Sequence, residues 1–218
     1  MYFSEDEAQR LNVRIRQLEK KTGVELVAAV VGKCDNYPEI PWKAFASGVA
    51  FSSLVLLFQT MLRPDWLSPY SVLVHAIIVL AVGTIMALLT AVWPGWARCF
   101  LDRTRAASEM QQYAQSLFLE HDVFATRGRI GLVLLVGLLE RQVVILTDSG
   151  LDARLPSGGL QSVIAAMTPD LKRNDRFRAL KRGLSAMEEC LHNAGFELAA
   201  DETDQISETL IQRKGAAE

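Results

Sequence analysis

The chain has 218 residues, of which 50% are hydrophobic, and its formal net charge is -2 with an isoelectric point near 6.0. Because this balance lacks the basic field that nucleic-acid binding requires, we expect no nucleic-acid partner. Cys34, Cys99 and Cys190 have no metal-ligand spacing, so we expect reduced thiols whose role is packing.

Residues 1–43 are predicted to form a helix and a strand, the first part of a soluble domain. Ser4 and Glu7 make a capping box, and the apolar stripe that follows predicts a helix over residues 5–21. The continuous apolar run over residues 25–31 is typical of a strand that is covered on both faces.

Residues 44–96 contain two long apolar runs, 44–62 and 70–93, with no Asp, Glu, Lys or Arg inside either. About 20 apolar residues are enough to cross a bilayer, so we predict a transmembrane helical hairpin whose partner is membrane lipid. The short connection from Arg63 to Pro69 allows only a turn. Aromatic side chains stand at the ends of the runs, as expected for the headgroup region: Trp42, Trp66, Tyr70, Trp93 and Trp96.

Basic residues near the two runs predict the orientation of this hairpin. Those outside the connecting loop are Lys33, Lys43, Arg98, Arg103 and Arg105, and the loop itself holds only Arg63. An excess of Lys and Arg in short flanking segments marks the cytoplasmic side. We therefore expect a bacterial inner-membrane protein with two spans, whose soluble domain and both termini are cytoplasmic.

After the hairpin, the pattern indicates a second set of domain elements. An amphipathic stripe predicts a helix within residues 102–122, and the apolar runs 130–139 and 143–148 should pair as an antiparallel β-hairpin. Helical spacing returns over residues 160–167 and 177–191.

These elements predict an α/β fold. Strands that are apolar on both sides fit an α/β/α sandwich with a mixed sheet, interrupted by the transmembrane hairpin. The domain then consists of residues 1–43 and 97–196, and residues 197–218 are predicted to be a polar, loosely ordered tail.

Two stretches resemble the TPM-domain family, in its bacterial membrane branch with a two-helix hairpin inserted after the first strand. They are TGVELVAAVVGKCDNY and TRGRIGLVLLVGLLERQVVILTDSGL. The matching features are an Arg-flanked turn (127–131), the strand 132–136, the hairpin tip at 140–141 and the closing segment 148–151, and the resemblance spans residues 5–196. It implies an α/β/α domain. For different family members it implies photosystem repair, acid-phosphatase activity in a chloroplast member, calcium binding or receptor accessory roles.

Four carboxylates, Asp35, Asp148, Asp152 and Asp175, raise the question of a calcium or phosphatase site. A right-handed, parallel crossover places Asp35 and Asp148 at opposite edges of the sheet, so the four should not meet. The residues expected at one edge are Arg127, Arg129, Asp148 and Asp152. We favour a structural Arg–Asp lock there, and the alternative is a ligand site in which the arginines bind an anion. Because two cations disfavour a third, no metal is expected.

Two further residues are interpreted as parts of turns. Glu140 and the neighbouring Arg141 are predicted to form a solvated hairpin tip, and Gly150 is predicted to supply a tight turn with positive φ.

No catalytic motif stands out, so we predict no catalytic residue and no cofactor. The favoured function is a partner-binding or accessory role in membrane-protein assembly or quality control, and the family resemblance suggests LemA-like membrane proteins as partners. The alternative is a metal-dependent acid phosphatase. The sequence leaves the oligomeric state open.

Overall fold

The chain divides into two structural units, one made of residues 1–35 with 106–218 and the other of residues 36–105. The structure is a computed structural model that describes residues 2–62, 68–126, 128–196, 210–213 and 215. Its helices are α1 (Glu5–Thr22), α2 (Glu39–Leu62), α3 (Pro69–Val92), α4 (Pro94–Ala97), α5 (Arg103–Glu120), α6 (Ser149–Asp152), α7 (Gly159–Lys172) and α8 (Arg176–Asn193). Its strands are β1 (Glu25–Val31), β2 (Gly131–Gly137), β3 (Gln142–Thr147) and β4 (Leu210–Arg213). Short 3-10 helices cover Arg98–Phe100 and Val123–Ala125.

The larger unit is built on a mixed sheet with strand order β3-β2-β1-β4. Strand β1 runs parallel to both β2 and β4, and β3 pairs antiparallel with β2. Parallel pairing of β1 and β2 requires a crossover connection, and the antiparallel pair needs only a short turn. The predicted mixed sheet and its β-hairpin are therefore confirmed.

Helices cover both faces of this sheet. Leu26, Ala28 and Val30 of β1 belong to a buried cluster with apolar side chains of α1, α7 and α8. The intervening residues of β1 belong to a second cluster with Met110, Ala114 and Leu117 of α5. Successive side chains of a strand point to opposite faces, so both faces of β1 are buried. This is the α/β/α sandwich that the sequence predicts.

Helix α1 begins as the sequence predicts. The backbone N–H of Glu7 donates to Ser4 Oγ at 3.2 Å, and the Ser4 N–H donates to the Glu7 carboxylate at 3.0 Å. The helix ends at Gly23, whose φ of 69° is the left-handed conformation that glycine adopts at little cost.

Strand β4 is not predicted from the sequence. It lies in the segment expected to be a loosely ordered tail, and that expectation is wrong for residues 210–213. The strand is tied to the rest of the unit by side chains as well as by its ladder. Gln212 Oε1 accepts the N–H groups of Tyr2 and Phe3 at 3.0 and 3.3 Å, and the guanidinium of Arg213 donates to Glu120 at 2.5 and 3.2 Å.

The smaller unit contains two helices, α2 and α3, that are long and apolar enough to cross a membrane. In the most apolar stretch of each helix, only 11% (α2) and 6% (α3) is buried within the protein. The two helices approach closely at Gly48 and Gly83. A Cβ added to Gly48 would lie only 3.0 Å from the Cα of Gly83. Small residues at a crossing are typical of packing between membrane helices. Arg63 and Trp66 lie outside the described residues.

Candidate functional site at the β3 end of the sheet

Two of the predicted site residues form an ion pair where β2 begins and β3 ends. Arg129 Nε lies 3.0 Å from Asp148 Oδ1 and 2.9 Å from Oδ2. The side chain of Asp148 is only 3% exposed, whereas that of Arg129 is 58% exposed. The pair therefore joins a buried carboxylate to a guanidinium that remains open to solvent.

Local backbone structure fixes both partners of this pair. Asp148 is the N-cap of α6, and its Oδ1 accepts from the backbone N–H of Ser149 at 2.6 Å and from its hydroxyl at 3.2 Å. Arg129 has a left-handed φ of 57°, and its carbonyl accepts from the N–H of Leu151 at 3.2 Å. The turn before β2 and the turn after β3 thus hold each other through backbone and side chain.

Gly150 has a different role from the predicted one. It lies inside the short helix α6, it is not among the glycines with positive φ, and the predicted left-handed turn is wrong. A Cβ at this position would lie 2.0 Å from the carbonyl oxygen of Gly128 and 2.8 Å from that of Arg129. The sequence requires glycine here because two turns pass too close together for a side chain.

Asp152, another of the predicted site residues, does not take part in this ion pair. Asp152 is exposed, and its Oδ1 accepts from the Thr147 hydroxyl at 3.4 Å. Arg127 lies outside the described residues. The ligand-binding role predicted for these residues therefore remains a prediction, carried by Arg129 and Asp148 above all.

The remaining carboxylates lie elsewhere. Asp35 follows β1 and Asp148 follows β3, and they lie beyond opposite ends of the strands, as the parallel crossover predicts. Asp175 is the N-cap of α8, where its side chain accepts from the N–H of Arg178 at 3.0 Å. Among the described residues, no three His, Cys, Asp or Glu side chains are grouped so that they could hold a metal ion.

At the other end of the β2–β3 hairpin, the structure contradicts the prediction that the tip residues Glu140 and Arg141 are both solvated. Arg141 is exposed, but Glu140 is only 8% exposed and its Oε1 accepts from the buried N–H of Cys34 at 2.7 Å. Burial, and to a lesser extent the charges of Glu140 and Glu109, raise the pKa of the Cys34 thiol. Cys34 is buried and its Sγ lies 3.0 Å from Met110 Sδ, so the structure supports the predicted packing role.

The geometry of the Arg129–Asp148 site is suited to binding an anion. The buried carboxylate of Asp148 is already engaged by Arg129 and Ser149. A guanidinium has five N–H donors, and Nε supplies the one that faces Asp148. The outer donors of this half-exposed side chain are suited to a carboxylate or phosphate.

Part of the chain is similar to a known family. Residues 99–190 match the family model of the TPM domain, so this part of the chain is similar to that domain. The match covers α5, the β2–β3 hairpin and most of α8, which includes every residue of the candidate site. The family resemblance seen in the sequence is therefore confirmed.

A solved structure shows the same fold. The NMR structure of BA42 protein from the psychrophilic bacterium Bizionia argentinensis superposes with a TM-score of 0.57, covering 97% of this chain and 96% of that one. At 13% sequence identity the similarity concerns the fold alone. None of the curated protein sequences is significantly similar to this chain.

Proposed function

We propose that this TPM-domain protein is a two-span protein of the bacterial inner membrane that acts as an accessory factor, holding a cytoplasmic binding domain at the bilayer. The observation that carries the proposal is the exposure of large apolar side chains along α2 and α3. Phe51, Phe58 and Met61 of α2 are 64%, 63% and 76% exposed, and Leu73 and Ile77 of α3 are 60% and 59% exposed. Soluble proteins rarely expose so large a continuous apolar surface, and a bilayer would cover it.

The charge distribution supports the cytoplasmic placement of the domain. Arg98, Arg103 and Arg105 follow the second apolar helix, and Lys33 and Lys43 precede or begin the first. Such residues are retained on the cytoplasmic side during insertion. Insertion in this orientation would put the Arg129–Asp148 edge in the cytoplasm with the rest of the domain.

The binding role rests on Arg129. Its guanidinium is anchored from within by Asp148 and presents its outer donors to solvent, so it can receive an acidic group of a partner protein without moving. We propose a role in the assembly or quality control of membrane proteins, with LemA-like membrane proteins as the partners that the family resemblance suggests.

Membrane extraction and affinity capture test the proposal. The full chain should stay with membranes after alkaline carbonate extraction, and a protein recovered in the soluble fraction would contradict membrane insertion. Capture from detergent-solubilised membranes should retain a partner that Arg129→Ala loses. Arg16→Ala is the matched control, because Arg16 is also an exposed arginine but lies on α1. Equal capture by both variants would exclude Arg129 from partner binding.

A further inference from the structure

Strand β3 is an edge strand with an apolar sequence. The sheet order β3-β2-β1-β4 leaves one side of β3 without a ladder partner among the described residues. Its four central residues are Val143, Val144, Ile145 and Leu146, and all of them are partly exposed. An uncovered edge strand of this kind is a template for pairing with another chain.

The hydrogen-bonding direction of β3 follows from its ladder with β2. The N–H of Asp148 donates to the carbonyl of Gly131 at 2.9 Å, which makes these two residues a hydrogen-bonded pair. Such pairs alternate along an antiparallel ladder, so even-numbered residues of β3 face β2. The N–H and C=O groups of Val143, Ile145 and Thr147 therefore point outward from the sheet.

The opposite side of the sheet differs from the β3 side, because a side chain caps part of β1 and the edge strand β4 is short and ends in a charged residue. The N–H of Leu26 in β1 donates to the carboxylate of Glu19 at 3.0 Å, so a side chain takes the place of a neighbouring strand there. Strand β4 covers the rest of that edge, has only four residues, and ends at Arg213, which is paired with Glu120. Strand β3 contains no charge, no proline and no bulge of the kind that blocks edge pairing.

Opposite charges flank the two ends of β3. Arg141 lies immediately before the strand and Asp152 lies just after it, tied to Thr147, and both are exposed. Neither side chain forms an ion pair among the described residues. When two copies of such a strand pair antiparallel about a two-fold axis, the start of each lies beside the end of the other. Each Arg141 would then lie near Asp152 of the second copy.

We propose that two copies of this chain dimerise through their β3 strands and form one continuous eight-stranded sheet. The two β3 strands run antiparallel at the junction, which is centred on Ile145. In this register the N–H of Ile145 donates to the carbonyl of Ile145 in the second copy, and Val143 pairs with Thr147. The register pairs outward-facing residues only, as an antiparallel ladder requires. Val143 and Ile145 border one buried cluster and Val144 and Leu146 the other, so both apolar layers continue across the axis.

A charge-reversal cycle tests the dimer with the full chain in detergent. Arg141→Glu and Asp152→Arg should each raise the dimer dissociation constant about tenfold, because each places like charges together at two symmetric contacts. The double variant exchanges the charges and should restore wild-type dimerisation. Both residues are exposed, so the domain should stay folded. A wild-type monomer at every concentration, or single variants that dimerise like the wild type, would overturn the proposal.

Cross-linking provides a readout that does not depend on charge. In a Cys99→Ser background, which removes the exposed native thiol, Ile145→Cys should give a covalent dimer with a short bismaleimide in membranes and in detergent. Val13→Cys is the control, because Val13 is 50% exposed on α1, away from β3. A dimer formed equally by both variants, or by neither, would contradict pairing through β3. The detergent arm tests dimerisation even if the chain proved not to be a membrane protein.

Discussion

The carboxylate of Glu140 accepts a hydrogen bond from the backbone N–H of Cys34 at 2.7 Å, joining the tip of the β2–β3 hairpin to the segment that follows β1. The contact is buried and links residues 106 positions apart. The backbone adds two further bonds at the same place, since the N–H groups of Leu138 and Leu139 donate to the carbonyls of Val31 and Gly32 at 2.9 Å. Glu140 therefore ties the hairpin tip to the core, although the neighbouring Arg141 is exposed.

We expect Glu140→Ala to destabilise the domain by about 1–3 kcal/mol, because it leaves the buried N–H of Cys34 without its acceptor. Glu140→Gln keeps an acceptor oxygen and should cost less. The measurement is pulse proteolysis of the full chain in detergent across a urea series. All four tryptophans lie within residues 36–105, so tryptophan fluorescence would not report on this unit. Equal costs for the two variants would contradict the role assigned to the acceptor.

The Arg129–Asp148 pair allows the structural lock and the anion site to be separated. Asp148→Ala removes both the cap of α6 and the partner of Arg129, and should lower the free energy of unfolding by about 1–3 kcal/mol. Arg129→Ala should cost under about 1 kcal/mol, because the guanidinium is 58% exposed. These losses are measured by the same proteolysis assay.

Titration with phosphate and with an acidic peptide then decides whether the lock is also a binding site. If it is, Arg129→Ala abolishes binding, while Asp148→Asn retains it because the competing negative charge is gone. Loss of stability in Asp148→Ala without any Arg129-dependent binding would leave the structural role alone.

Helix α1 is clamped to α8 by a carboxylate whose ionisation should make stability depend on pH. Glu188 contacts Arg14, and Lys21 Nζ lies 2.8 Å from its Oε1. The hydrogen bond from Lys21, together with the charges of Arg14 and Lys21, holds the pKa of Glu188 below its ordinary value of 4.5. A lowered pKa in the folded state means that the stabilisation is full above about pH 4.5 and is lost as the pH falls through the folded value.

We expect Glu188→Gln to cost about 0.5–1 kcal/mol at pH 7 and to flatten the stability profile below pH 4.5. The measurement compares unfolding free energies of the variant and the wild type from pH 7 to pH 3. Glu189→Gln is the control, since Glu189 is the exposed neighbour on the same helix. Parallel profiles for wild type and Glu188→Gln would show that the clamp does not titrate in this range.

Reporter fusions test the orientation of the hairpin. A reporter joined after Glu218 should be active only if it functions in the cytoplasm, and one inserted at Asp65 only if it functions in the periplasm. Neutralising Arg98, Arg103 and Arg105 together should weaken this bias without preventing insertion, which hydrophobicity drives. The reverse pattern of activity would place the domain outside the cytoplasm.

Phosphatase assays test the enzymatic alternative. We expect the purified chain to hydrolyse generic phosphate esters no faster than a variant carrying Asp148→Ala and Asp152→Ala, with or without divalent cations. A wild-type rate a hundredfold higher, or about 2.7 kcal/mol of transition-state stabilisation, would favour a metal-dependent phosphatase and locate its site at this edge.

Elements defined by local pattern are predictable from this sequence, and elements defined by distant contacts are not. The strands β1 and β2 are continuous apolar runs, and α1 has both a capping box and an apolar stripe. Strand β4 has no such signal, because its four residues, LIQR, lie in a polar segment and become a strand through pairing with β1.

The candidate site shows the same limit. The Arg129–Asp148 pair is predictable because an antiparallel hairpin brings its two ends together. A carboxylate beside an arginine at a hairpin tip usually predicts two solvent-exposed side chains. Glu140 is buried instead because it accepts a hydrogen bond from Cys34, which is distant in sequence. The requirement for glycine at position 150 arises from the approach of a separate turn, which no local pattern encodes.

The insertion of α2 and α3 between β1 and its partners has a consequence for biosynthesis. Each strand that pairs with β1 in the described sheet follows the hairpin in the chain. When the ribosome reaches Gly131, it has therefore already synthesised both apolar helices, while β1 still lacks its neighbours. The helices become available for membrane insertion first, and completion of the sheet must wait for the last part of the chain to be synthesised.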